Sequence, residues 1–152
     1  MFIVDASVHI ADMRPAEPSH REARAFLDYV RQNGEQVYGP MIVLAEVSAG
    51  ISRGTGRPRL ARWLTGLLQR TPNFTFVPID ETLGELAAEM AAAHQIRGCD
   101  AVYVALAQHL GAILVTLDGE QRQRAPEEVV ARTPAAALAA FTQRASGQEE
   151  DE

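Results

Sequence analysis

An alternation of short hydrophobic runs with helical patterns constrains the fold of this chain more than any other feature. Short continuous hydrophobic runs are typical of strands that are buried on both faces of a parallel sheet. The predicted strands are 2–4, 36–39, 74–77 and 112–116, with a short fifth strand at 129–131. Since helical segments separate them, the pattern predicts right-handed crossovers and an α/β fold. The fold class is a three-layer α/β/α arrangement around a mostly parallel sheet of four to five strands.

The segments between the strands carry the periodicity and end signals of helices. We predict one helix ending before Asn33, one over 41–51, one starting at Pro58, one capped by Asp80, and two over 100–110 and 134–141. Segments 41–51 and 100–110 are almost entirely apolar, so we expect both helices to be buried. The chain is predicted to form one domain over 1–144, followed by an acidic, disordered tail over 145–152.

The composition excludes several classes of function. All fourteen basic residues are arginine, and the absence of lysine excludes Walker-A phosphate binding and Schiff-base chemistry. Cys99 is the lone cysteine, so no disulfide framework forms and a cytoplasmic location is expected. No window approaches the roughly 18 apolar residues of a membrane span, and no signal peptide is expected at the first residues.

The net charge does not decide whether the partner is a nucleic acid. The formal charge of −6 argues against it at first sight, but residues 149–152 supply four of the negative charges in one terminal run. Arginines also bunch after the helix at 41–51. Arg53, Arg57, Arg59 and Arg62 form this cluster, which suits either phosphate contact or a solvated helix face.

Four acidic residues occupy positions that call for an explanation. Asp5 and Asp118 follow two strongly apolar runs, so both side chains are expected at the carboxyl edge of the sheet. Glu46 and Asp100 lie within or at the start of the two nearly apolar helices, where a charged group is rarely buried without a partner or a metal.

Each acid also has a simpler explanation when taken alone. Asp5 and Asp100 are favourable helix N-caps, and Asp118 before Gly119 suits an ordinary turn. An exposed position for Glu46 is harder to find. Together, four acids without a lysine to neutralise them are best explained by a divalent cation, because carboxylate oxygens suit Mg²⁺ and Mn²⁺. Their repulsion should destabilise the metal-free fold, and Asp118→Asn is expected to relieve part of it.

The segments around these acids resemble a known family. In order and spacing, Phe2–Ser7, Ala45-Glu46, Gly98–Ala101 and Leu114–Asp118 are similar to the motifs of PIN-domain nucleases, above all the VapC toxins of toxin–antitoxin pairs. The resemblance runs from Met1 to about Phe141. It implies a PIN-like fold, a Mg²⁺- or Mn²⁺-dependent ribonuclease, a homodimer, and neutralisation by a cognate antitoxin protein.

By position, the resemblance identifies Asp5, Glu46, Asp100 and Asp118 as the catalytic and metal-binding acids. Ser7 and Thr116 match the small polar and hydroxyl residues that support the first and last acids, and Glu120 lies where some members have a further acid. The leading hypothesis is therefore an endoribonuclease toxin that acts on RNA with Mg²⁺ or Mn²⁺ as cofactor. Arg53, Arg57, Arg59 and Arg62 are its candidate RNA contacts.

Two other functions remain open at this point. One is a non-catalytic PIN-like module that only binds RNA or a protein. The other is a Mg²⁺-dependent phosphatase of the haloacid dehalogenase kind, which the position of Ser7 and the missing lysine argue against. The four histidines have no zinc-ligand spacing, and Trp63, in helical register with Leu60 and Leu67, indicates core or interface.

Overall fold

The computed structural model describes the backbone of residues 1–148 and the side chains of residues 1–143. The strands are β1 (Phe2–Val4), β2 (Val37–Pro40), β3 (Phe74–Val77), β4 (Ile113–Val115) and β5 (Ala131–Arg132). The helices are α1 (Ala6–Met13), α2 (His20–Gln32), α3 (Val43–Thr55), α4 (Pro58–Leu68), α5 (Glu81–His94), α6 (Gly98–Leu110), α7 (Gly119–Arg124) and α8 (Pro134–Gln148).

All five strands pair in parallel in the order β3-β2-β1-β4-β5. The chain moves outward from β1 through β2 and β3 on one side, and then returns to place β4 and β5 on the other. The carboxyl ends of β1 and β4 therefore flank the point where the strand order reverses. In open parallel sheets this point opens a crevice that commonly holds the ligand.

Helices cover both faces of the sheet and bury separate cores, which confirms the three-layer prediction. Phe2 and Val4 face a core with α1, α2 and α8, whereas Ile3 faces a core with α3, α4, α5 and α6. This alternation follows from the two-residue repeat of a strand. All three of these side chains are fully buried, and each contributes about 1.5–3 kcal/mol through burial.

The predicted elements are present, although α3 covers Val43–Thr55 rather than 41–51 and α6 begins at Gly98 rather than at residue 100. Helices α1 and α7 were not predicted; each is short and starts directly after an aspartate that caps it. The fifth strand lies at Ala131–Arg132 rather than 129–131. Helix α8 continues to Gln148, beyond the predicted end of this helix at residue 141. The helix can continue because no proline follows its first residue and its single glycine destabilises it by only about 1 kcal/mol. Residues 149–152 lie outside the described residues.

Helix α3 differs from its prediction in burial. Only Val43, Val47 and Ile51 are buried, at a four-residue spacing, while Ala45 is exposed. The other side of α3 is apolar because it forms the wall of an open cleft, and not because it packs in the core. Within residues 1–148, no helix is both long and apolar enough to cross a membrane.

Candidate active site

The first acid, Asp5, lies at the junction of β1 and α1. Its backbone N–H donates to the carbonyl of Val115 on β4, and its carboxylate accepts a hydrogen bond from the Ser7 N–H at 2.9 Å, which caps α1. Only 6% of the residue is exposed. Burial raises the pKa of Asp5, and the nearby negative charge of Asp118 adds to the rise. The sequence thus places a buried carboxylate, whose negative charge is unfavourable there, at the carboxyl edge of the sheet.

Asp118 lies in the equivalent place beyond β4. Its Oδ1 accepts hydrogen bonds from the backbone N–H groups of Glu120 at 2.8 Å and Gln121 at 3.1 Å, so it caps α7. The simpler explanation for Asp5 is therefore also correct, because Asp5 caps α1, whereas Asp118 caps a helix and does not form the ordinary turn that its sequence suggested. A cap leaves carboxylate lone pairs available, and both side chains still face the same cleft.

Glu46 extends from the half-buried side of α3 towards α6. The hydroxyl of Tyr103, a fully buried residue, donates a hydrogen bond to Glu46 Oε2 at 2.5 Å. Burial raises the pKa of Tyr103 far above its usual range, so the phenol keeps its proton and remains a donor. Burial also raises the pKa of Glu46, while this hydrogen bond lowers it. Tyr103 therefore orients the Glu46 carboxylate.

Asp100 lies in the first turn of α6 and is not its cap, because the helix begins at Gly98 and the cap position is Arg97. Arg97 Nε donates to Asp100 Oδ2 at 2.8 Å. Partial burial raises the pKa of Asp100, and the guanidinium of Arg97 opposes that rise. The backbone carbonyl of Asp100 accepts a hydrogen bond from Gln121 Nε2 at 3.1 Å, which links α6 to α7.

The four acids line one cleft with a volume of about 720 Å³. The other polar residues that line the cleft include Ser7, Arg53 and Arg97. The apolar part of its wall includes Ile10, Ile42 and Ala49. Four elements thus bring one carboxylate each to the crevice: the ends of β1 and β4, α3, and the start of α6. The carboxylates are close enough for each of Asp5, Glu46 and Asp100 to have its pKa raised partly by another member.

The three supporting residues have different surroundings. Ser7 lines the cleft, and its Oγ accepts a hydrogen bond from the Leu117 N–H at 3.1 Å, which ties the loop after β4 to α1. Thr116 is fully buried, and its Oγ1 accepts from the Asp118 N–H at 3.0 Å. Glu120 does not line the cleft; it is exposed and pairs with Arg124 at 2.7 Å.

The arginine cluster is only partly at the site. Arg53, in the last turn of α3, lines the cleft. Arg57, Arg59 and Arg62 are exposed but do not line it, because α3 ends at Thr55 and the chain turns at Gly56 into α4. Gly56 has a φ of +65° in the left-handed region, which favours glycine.

Sequence analysis missed three residues that hold the acids: Arg97, Tyr103 and Gln121. Tyr103 and Gln121 follow Asp100 and Asp118 by three positions, so helical spacing places each one turn away from an acid. In the structure Gln121 is 1% exposed, and a polar residue buried to this extent requires partners. Arg97 had the same three-residue spacing to Asp100, although nothing local indicated its contact with Asp118.

The donor set of the cleft suits a hard divalent cation. The four acids supply carboxylate oxygens only, and Mg²⁺ typically takes one or two carboxylates and keeps several waters. Among the described residues, no three acidic, histidine or cysteine side chains converge closely enough to hold an ion between them. A Mg²⁺ or Mn²⁺ ion held by two carboxylates and water is compatible with this arrangement.

The chain belongs to the PIN-domain family. The family model for the PIN domain matches residues 2–126, more than four-fifths of the chain, which confirms the predicted resemblance. A comparison with curated proteins finds no match.

Several solved structures have the same fold. VapC20 of Mycobacterium tuberculosis, a toxin that cleaves the sarcin–ricin loop, superposes with a TM-score of 0.72 at 20% identity over 86% of this chain and 99% of that chain. VapBC2 of Rickettsia felis, bound to a promoter DNA fragment, has a TM-score of 0.68 at 14% identity over 87% and 97%. A toxin–antitoxin complex of Klebsiella pneumoniae has a TM-score of 0.64 at 19% identity over 88% and 98%.

Replacing Tyr103 with Phe tests the positioning of Glu46. We expect Mn²⁺ affinity and any metal-dependent cleavage to fall by about 10-fold, because partners of metal ligands usually contribute at that level. Unfolding stability in EDTA should change by no more than about 1 kcal/mol, the contribution of one hydrogen bond. Titration calorimetry with Mn²⁺ provides the measurement, and Tyr29→Phe is the control outside the cleft. Unchanged Mn²⁺ affinity in Tyr103→Phe contradicts the proposal that Tyr103 positions Glu46.

Proposed function

We propose that this chain is a Mg²⁺- or Mn²⁺-dependent endoribonuclease that acts as the toxin of a toxin–antitoxin pair. The observation that carries the proposal is the meeting of Asp5, Glu46, Asp100 and Asp118 in one cleft at the reversal point of a parallel sheet. Membership in the PIN-domain family supports a nuclease. The fold shared with an RNA-cleaving toxin and with toxin–antitoxin complexes supports the choice of RNA and the toxin role.

In this mechanism the four carboxylates would surround the cation, two of them as direct ligands and the others through bound water. The chemistry that a bound ion supplies here is activation of water and neutralisation of the charge that develops on the phosphodiester. Asp5 and Asp118 are held in place by their capping bonds, and Glu46 by Tyr103. None of these side chains needs to become covalently attached to the substrate.

We propose that arginine side chains in and near the cleft bind the phosphates of the RNA backbone. Arg53 lines the cleft beside the acids, so its guanidinium is available to a phosphate next to the scissile bond. Arg57, Arg59 and Arg62 lie on the exposed start of α4 and extend the positive surface away from the cleft. Binding through phosphates makes affinity fall with salt concentration.

We also propose a cognate antitoxin protein and a second copy of this chain as partners in the cytoplasm. The similar toxin–antitoxin structures support the antitoxin. Trp63, 61% exposed, and Leu67, 42% exposed, lie on one side of α4 and support a homodimer, because large apolar side chains on a surface commonly mark an interface. Sedimentation that finds only monomer at tens of micromolar concentration contradicts the homodimer.

The proposed reaction is tested by incubating the protein with RNA and a divalent ion. We expect internal cleavage with Mg²⁺ or Mn²⁺ and none with excess EDTA, because no other catalytic group is proposed. Cleavage that persists undiminished in EDTA contradicts the metal mechanism. Metal-dependent binding of RNA without cleavage contradicts the proposed nuclease activity and favours a non-catalytic PIN module.

A further inference from the structure

Arg97 joins two of the four acids through a single guanidinium. Its Nε lies 2.8 Å from Asp100 Oδ2, and its Nη2 lies 2.6 Å from Asp118 Oδ2. The two aspartates belong to separate elements, the first turn of α6 and the cap of α7. Planar donors of this kind bind carboxylates with defined geometry, and such charge-assisted hydrogen bonds are stronger than neutral ones.

The contact is electrostatic and not part of the packed core. The side chain of Arg97 is 70% exposed, whereas those of Asp100 and Asp118 are 16% and 24% exposed. The negative charges of Asp100 and Asp118 raise the pKa of Arg97, so the guanidinium stays charged. Because little packing holds Arg97, it can leave the acids without disturbing the fold.

We propose that Arg97 competes with the divalent cation for Asp100 and Asp118, and that its guanidinium must leave these carboxylates before the cation binds them. The inference rests on the proposed function, since it takes these aspartates as metal ligands. The guanidinium binds Oδ2 of both aspartates, which line the cleft, and its positive charge repels a cation nearby. Arg97 is then an internal counter-ion of the metal-free protein.

A second arginine of the cleft provides the contrast. Arg53 lines the same cleft, but among the side chains of residues 1–143 the ion pairs to the four acids come from Arg97 alone. Competition therefore depends on the position of Arg97 and not on positive charge in general. Removing the charge of Arg53 should change metal affinity much less, since an exposed charge that forms no ion pair with the acids is screened by water and salt.

The test compares Mn²⁺ binding by the full-length wild-type protein, Arg97→Gln and Arg53→Gln, without RNA. Titration calorimetry should give a dissociation constant about three- to tenfold lower for Arg97→Gln, because two ion pairs no longer oppose the metal. Arg53→Gln should lie within about twofold of wild type. In Arg97→Lys an ammonium cannot bridge both acids, so an intermediate value is expected.

Thermal unfolding provides the second readout. In EDTA, Arg97→Gln should unfold at a lower temperature than wild type, because Asp100 and Asp118 lose their counter-ion. With excess Mn²⁺ the two proteins should converge. A folded Arg97→Gln protein that binds Mn²⁺ no more tightly than wild type overturns the competition and leaves the proposed function intact. Absence of Mn²⁺ binding in both proteins overturns the competition together with the metal mechanism.

Discussion

Replacing Asp5 with Asn is expected to reduce metal-dependent RNA cleavage on the order of a thousandfold while making the metal-free protein more stable. Asp5 is 6% exposed and its pKa is raised chiefly by burial, so its negative charge destabilises the fold without a cation. Asn keeps the side-chain oxygen that accepts from the Ser7 N–H, and Asn caps helices as well as Asp does. The gain should be about 0.5–2 kcal/mol, or a few degrees in the midpoint.

The measurements are RNA cleavage with Mn²⁺ and thermal unfolding in EDTA, both near neutral pH. Asp80→Asn is the matched control, because Asp80 also caps a helix through its side chain but does not line the acidic cleft. It should neither lose cleavage nor gain stability. With Mn²⁺ at a hundred times its dissociation constant, wild type should gain about 2.7 kcal/mol. An Asp5→Asn protein that cleaves normally and is less stable in EDTA contradicts this assignment.

The structure changes which acid is best for this experiment. Sequence reasoning selected Asp118→Asn as the stabilising replacement, because the four clustered acids were expected to repel one another. Asp118 instead accepts two backbone N–H groups and pairs with Arg97. Its negative charge is therefore compensated, and we expect no stability gain on its removal. Asp5 has hydrogen bonds but no ion pair among the described residues.

Acidification is expected to destabilise the protein through His9, a buried residue of α1 whose ring packs against Phe74. Burial lowers the pKa of His9 from 6.5 to about 3, and the positive charge of Arg31 adds to the shift. His9 Nε2 has no hydrogen-bond partner among the described residues. Below pH 6.5 the unfolded chain binds a proton at this site and the folded chain does not, so falling pH favours unfolding. Its contribution is about 1.4 kcal/mol per pH unit down to about pH 3.

Comparison with His9→Leu isolates this contribution. Asp5, Glu46 and Asp100 have raised pKa values and favour the folded state on acidification, so the pH dependence of wild type alone is a sum of opposing effects. Denaturant titrations from pH 6 to pH 4 should show wild type losing roughly 2–3 kcal/mol relative to His9→Leu. The exposed His109→Leu variant controls for replacing a histidine outside the core. Parallel stability curves for wild type and His9→Leu contradict the expectation.

Local sequence determined the architecture. Runs such as Phe2–Val4 are apolar at every position because both faces of the sheet are covered, and their alternation with helical segments identified the strands and their parallel pairing. It also located the site, since an acid that directly follows a buried strand must emerge at the carboxyl edge. Asp5 and Asp118 were predictable for that reason, and the cleft contains both.

Tertiary structure decided how the acids are held and how much charge each retains. The bond from Tyr103 to Glu46 spans 57 residues of sequence, and the ion pair from Arg97 to Asp118 spans 21. No periodicity specifies such pairs, because they depend on the packing of α3 against α6 and on the place where α7 begins. The same holds for the arginine cluster, which the turn at Gly56 divides. Hydrophobic pattern acts over neighbouring residues and determines the elements, whereas the electrostatics of the cleft depend on distances that exist only once those elements pack.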